Sequence, residues 1–109
     1  MKQAQMLPER LKEAFKERIK DFRDACYNLF GYKLKLVGQR RWSISSMYAD
    51  SPDDVLLFEI SHSGEPSLLE TPFSSTLGDL ISLHLMRQNS IPAFVSAVTL
   101  ELASRQTIA

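Results

Sequence analysis

The chain has 109 residues, 44% of them hydrophobic and 24% charged, with a formal net charge of zero. That length allows one compact core, and the composition argues against both disorder and membrane insertion. No apolar run approaches the ~20 residues that span a bilayer, and the N-terminus carries no signal-peptide core.

The neutral total conceals an asymmetry. Residues 1–41 hold 11 Lys and Arg against 5 Asp and Glu, whereas residues 42–109 hold 2 against 8. The basic half suits an acidic or phosphorylated partner; equally, the two halves can attract each other. The single cysteine, Cys26, excludes an internal disulfide and fits a reducing compartment, nucleus or cytosol.

From Leu7 to Phe30 the apolar residues Leu11, Phe15, Ile19, Phe22, Cys26 and Leu29 recur at spacings of three and four. This spacing predicts one helix with one apolar stripe. Pro8 suits its first turn and Gly31 the residue just past its end. At ~1.5 Å per residue such a helix is about 36 Å long, more than a small head needs for its own core. Glu9–Lys12, Glu13–Lys16 and Glu17–Lys20 are i,i+3 pairs of opposite sign that support it.

After Gly31 the period changes from helix to strand. "YKLKLVG" alternates Tyr32, Leu34 and Leu36 with Lys33 and Lys35, and "RWSISSMY" sets Trp42, Ile44 and Tyr48 against Ser43 and Ser45. "ADSPDD" is a turn, "VLLFEIS" a third strand, "HSGEP" a hairpin turn and "SLLE" a short fourth strand. A four-stranded antiparallel meander follows from this order. Thr76 with Asp79 reads as a capping box opening the helix "LGDLISLHLMRQ". "NSIP" breaks that helix, and Pro92 begins a third one, striped by Ile91, Val95, Val98 and Leu102. The fold class is α+β: a long helix, a sheet and two C-terminal helices.

Little in the chain suggests catalysis. His62 belongs to a hairpin turn, and His84 shares a helix face with Leu80 and Ile81, as an interior or boundary histidine does. One cysteine and two separated histidines give no metal-ligand spacing. Cys26 sits on the apolar stripe, where a buried inert thiol is expected. Asp53 and Asp54 read as solvated turn residues, and no glycine-rich phosphate loop exists. No enzyme activity, metal or cofactor is expected. Lys33, Lys35, Arg40 and Arg41 lie near Tyr32 and Trp42, but these aromatics fall in the apolar alternation of a neutral domain. Nucleic acid is not the expected partner.

The segments "RLKEAF", "FRDACYNLFGY", "SMYAD", "LLET", "LGDLISLHLMRQNSIPAF" and "VTLELASRQTIA" resemble the C-terminal domain of the mitotic arrest deficient one family, scaffolds of the spindle assembly checkpoint. The resemblance runs from about Leu7 to Ala109. It implies a parallel homodimer, with a coiled-coil stem over residues 1–30 and an RWD-like head over residues 31–109, folding as one unit. It further implies residence in the nucleus: kinetochores in mitosis, and the nuclear envelope or pore in interphase. A longer coiled coil upstream, with a motif for the HORMA-domain checkpoint partner, is implied as well.

The family's Arg-Leu-Lys motif, which binds a phosphorylated segment of a Bub-family checkpoint kinase, matches Arg10, Leu11 and Lys12. At ~100° per residue Arg10 and Lys12 lie on either side of Leu11, so they would flank a seam that contains it. There the guanidinium fork and the ammonium suit a phosphate, although a merely solvated charged stem reads the same way. Phe22 and Arg23 match family positions linked to kinetochore function, and Phe22 is also a stripe residue whose packing would account for that link. Thr107 resembles a threonine that a checkpoint kinase modifies. The anaphase-promoting complex activator is a further implied partner. The rival reading is a dimerisation cap that holds no ligand of its own.

Overall fold

A computed structural model describes residues 2–108, with side chains from 8 to 106. Helix α1 spans Lys2–Phe30, followed by strands β1 (Tyr32–Gly38), β2 (Arg41–Ser46), β3 (Leu56–Ile60) and β4 (Pro66–Leu69). A 3-10 turn at Ser74–Thr76 leads into α2 (Gly78–Leu80), which widens over Ile81–Arg87 before α3 (Ile91–Ile108). The radius of gyration is 17.3 Å, against about 13 Å for a compact chain of this length. The excess comes from α1, which projects from the head.

The strands form one antiparallel sheet in the order β1-β2-β3-β4, the expected meander. The register pairs Leu34 with Ile44, Leu36 with Trp42, Trp42 with Phe58 and Phe58 with Leu68. Because side chains alternate with period two, this register gathers the apolar residues onto one face. The core lies under one end of that face: Leu56, Phe58, Phe73, Leu77, Phe94, Val98 and Leu102 are all buried there.

Gly31 fixes the junction between stem and head. Its φ of +77° continues neither helix nor strand, and an added Cβ would stand 3.3 Å from the Met47 sulfur. Its N–H closes the last turn of α1 onto the Tyr27 carbonyl, and its own carbonyl accepts from Met47 N–H at 2.8 Å. The next residue, Tyr32, is buried and ties the sheet to α3. Its hydroxyl donates to the Val95 carbonyl at 2.6 Å and accepts from Thr99 Oγ1 at 3.1 Å.

Several local expectations are corrected. Helix α1 begins at Lys2 and runs through Pro8, because Lys, Gln, Ala, Met and Leu upstream are strong helix formers. The i,i+3 pairs on α1 stay apart. Among the described residues, ion pairs close only at Arg41–Glu59 (2.9 Å) and Glu101–Arg105 (3.3 Å), since exposed long side chains gain little from being held together.

Thr76 does not cap α2; its hydroxyl donates to the Phe73 carbonyl. The reciprocal side-chain and backbone bonds of a capping box occur five residues earlier. There Thr71 Oγ1 accepts from Ser74 N–H at 3.0 Å, and Ser74 Oγ accepts from Thr71 N–H at 2.8 Å. Helix α3 starts one residue before Pro92, with Ser90 Oγ accepting from Ala93 N–H as its cap. Phe94, as fully buried as Val98, stands outside the expected stripe.

Candidate docking surface along the stem

The apolar stripe of α1 lies in the open. Leu11 is 54% exposed, Phe15 62% and Phe22 68%, and Ile19 and Leu29 are exposed as well. At ~100° per residue the six stripe residues fall within about 80° of arc. A soluble chain rarely leaves a contiguous apolar strip of this length uncovered. The strip asks for a partner.

Part of it faces the head. A groove of about 1010 Å³ runs between α1 and the apolar face of the sheet. Phe15, Ile19, Phe22 and Cys26 form its stem wall; Leu36, Trp42 and Ile60 belong to the opposite wall. Arg18, Arg23 and Lys35 also border it. Cys26, expected to be buried, is instead half-buried in this groove. The reason is geometric: the stem departs from the sheet at the Gly31 turn, so the stripe and the sheet face converge without closing.

The candidate residues fall into three places. Arg10, Leu11 and Lys12 are exposed on the stem, well away from the core. Phe22 and Arg23 sit lower on the stem beside the groove. Thr107 belongs to the last turn of α3, and its side chain lies outside the described ones. The structure therefore does not gather these residues into one pocket. It sets the first five along one helix.

His84 is half-buried, with Nδ1 2.7 Å from Gln88 Oε1, while His62 is exposed in its turn. Burial pushes the Tyr32 phenol above its ordinary pKa, and the hydrogen bond from Thr99 opposes that shift. Among the described residues no three of His, Cys, Asp and Glu stand close enough to hold a metal ion. No described helix is long and apolar enough to cross a membrane.

Sequence reasoning found the stripe but not the groove. Two alternations, one of period 3.6 and one of period two, can each be read locally; that they face each other depends on the Gly31 turn. It also missed that Lys33, on β1, joins Lys20, Arg23, Asp24 and Tyr27 of α1 around a second, polar notch of about 560 Å³.

The chain is similar over nearly its whole length to proteins of one kind. The family described as "MAD: Mitotic checkpoint protein" matches residues 1–107. The human "Mitotic spindle assembly checkpoint protein MAD1" is 50% identical over 108 residues, covering 97% of this chain and 15% of that protein. The "Mitotic spindle checkpoint protein MAD1" of Arabidopsis thaliana is 38% identical over 111 residues, covering 92% of this chain and 15% of its own length. In Schizosaccharomyces pombe the "Spindle assembly checkpoint component mad1" is 30% identical over 97 residues, covering 89% of this chain and 14% of that protein. The chain thus spans about a seventh of the length of these relatives. It belongs to the MAD1 family of mitotic spindle assembly checkpoint proteins.

Proposed function

We propose that this chain is a non-enzymatic docking module of the spindle checkpoint. It pairs in parallel with a second copy through the α1 stripe and presents Arg10, Leu11 and Lys12 to a phosphorylated segment of a Bub-family kinase at kinetochores. The observation that carries this reading is the exposed stripe with a basic residue on each side of Leu11. Pairing would cover the apolar strip as a coiled coil and bring two sets of cations to one seam. A phosphate carries ~1.5–2 negative charges at neutral pH, and basic groups from two chains can surround it.

In this reading the head is of the RWD kind, and Phe22 matters through packing in the paired stem. The HORMA-domain partner is engaged mainly by an upstream segment. Thr107 is a site that a checkpoint kinase modifies, and the anaphase-promoting complex activator is a further partner. Between mitoses the protein resides at the nuclear envelope or nuclear pore.

The test is a titration with phosphorylated and unphosphorylated forms of the kinase segment. The wild type should bind only the phosphorylated form, and more weakly as salt rises, because exposed charge pairs are screened. Arg10→Ala with Lys12→Ala should abolish that binding while the circular dichroism and melting curve stay unchanged. Equal binding of both forms, or wild-type affinity in a folded double variant, would overturn the assignment. A wild-type dimer that binds neither form would leave the chain a dimerisation cap.

A further inference from the structure

Lys12, Lys16, Lys20 and Arg23 occupy one flank of α1, within about 80° of arc at ~100° per residue. This basic ladder runs beside the apolar stripe, not on it, and Tyr27 continues the same line toward the head. At its foot the ladder meets β1. Lys20, Arg23, Asp24 and Tyr27 from the helix and Lys33 from the strand enclose the notch of about 560 Å³.

Three cations converge there although each repels the others. Among the described residues, neither Asp24 nor any other carboxylate comes within ion-pair distance of Lys20, Arg23 or Lys33. With Asp24 counted, the notch retains two positive charges. That charge matches the ~1.5–2 negative charges of one phosphoryl group. Arg23 supplies a planar fork of donors, the lysines compact charges, and the Tyr27 hydroxyl a neutral donor. A lone carboxylate would leave the notch with excess positive charge.

We propose that this notch is a second phosphate-recognition point, which seats a second phosphorylated side chain of the same docking peptide that Arg10, Leu11 and Lys12 hold. The inference rests on the proposed function above. Eleven residues separate Lys12 from Arg23, about 16 Å along the axis at ~1.5 Å per residue. A bound peptide covers that distance in about eleven residues if helical or about five if extended. The site therefore selects doubly phosphorylated segments with that separation, and two kinase events are needed for full affinity.

The experiment uses the whole chain and the Bub-kinase phosphopeptide. It is compared with peptides carrying an added phosphoserine five or eleven residues from the first phosphate, on either side. One of these should bind about tenfold more tightly than the singly phosphorylated peptide. The gain should vanish in Lys20→Ala with Lys33→Ala, which still binds the singly phosphorylated peptide like wild type. It should persist in Lys20→Arg with Lys33→Arg. Should the alanine pair fail to fold, Lys20→Gln and Lys33→Gln, which keep the side-chain stems, replace it. No gain at any spacing, or a gain that survives loss of both lysines, overturns the notch assignment alone. Failure of the wild type to bind the singly phosphorylated peptide overturns the docking reading and the notch with it.

Discussion

Helices α1 and α3 both carry apolar residues at spacings of three and four, yet their fates in one chain are opposite. On α3, Phe94 and Val98 are 0% exposed and Leu102 2%, sealed against β3 and the segment that precedes α2. On α1 the equivalent stripe stands in solvent or faces an open groove. Periodicity states that a face needs a partner. It does not state whether the partner is in the same chain.

That contrast can be broken most directly at α3. Phe94→Ala removes a ring enclosed on all sides and should cost about 3–5 kcal/mol. The loss should appear as a lower melting temperature that does not vary with protein concentration. A change of a degree or less would mean that the head does not depend on this core.

Phe15→Ala or Phe22→Ala should act differently. Within one chain these rings are exposed, so their loss should register through pairing, at about 2–3 kcal/mol. The melting temperature should rise with protein concentration in the wild type and lose part of that dependence in the variants. Light scattering at micromolar concentration should give about twice the 12.4 kDa chain mass for the wild type. A 12.4 kDa particle would mean that the stripe awaits some other partner.

The smallest effect concerns the link between the two regions. Tyr32→Phe removes the hydrogen bond to the Val95 carbonyl and the one accepted from Thr99, whose hydroxyl keeps the Val95 carbonyl as acceptor, and should cost about 0.5–1.5 kcal/mol at neutral pH. Burial raises the Tyr32 pKa in the folded state above the ordinary phenol value of 10.0. The folded protein therefore keeps this proton at pH values where the unfolded chain releases it. Stability from Tyr32 is fully present below pH 10.0 and is lost as pH climbs toward the folded pKa. Chemical denaturation of wild type and variant should show the difference shrinking above pH 10.0. A constant difference across that range would show that the phenol is not desolvated.

Much of the architecture was legible because its signals are local. Alternation in "YKLKLVG" and the turn residues of "HSGEP" specify strands and a hairpin whatever lies around them. Local rules failed where two signals competed. Pro8 marks a helix start in isolation, but the helix-forming run before it prevails. Thr76 and Asp79 match the capping pattern, yet Thr71 and Ser74 form the cap, held in place as Thr71 Oγ1 also donates to the Val55 carbonyl at 2.8 Å. That last bond joins residues sixteen apart, which no window of neighbouring sequence contains.

The candidate surface divides in the same way. The sequence by itself determined that α1 carries an apolar stripe, that Arg10 and Lys12 flank Leu11, and that a four-stranded meander follows. Each is a consequence of helical or strand period acting on adjacent residues. Only the tertiary structure decided that the stripe remains uncovered, that it opposes the sheet across a groove, and that Lys33 meets Lys20 and Arg23. These depend on the angle at which α1 leaves the sheet, set by the positive φ of Gly31 and the hydrogen bonds of Tyr32. Burial and convergence of charge are properties of distances between elements, and distances between elements are fixed only when the chain has folded.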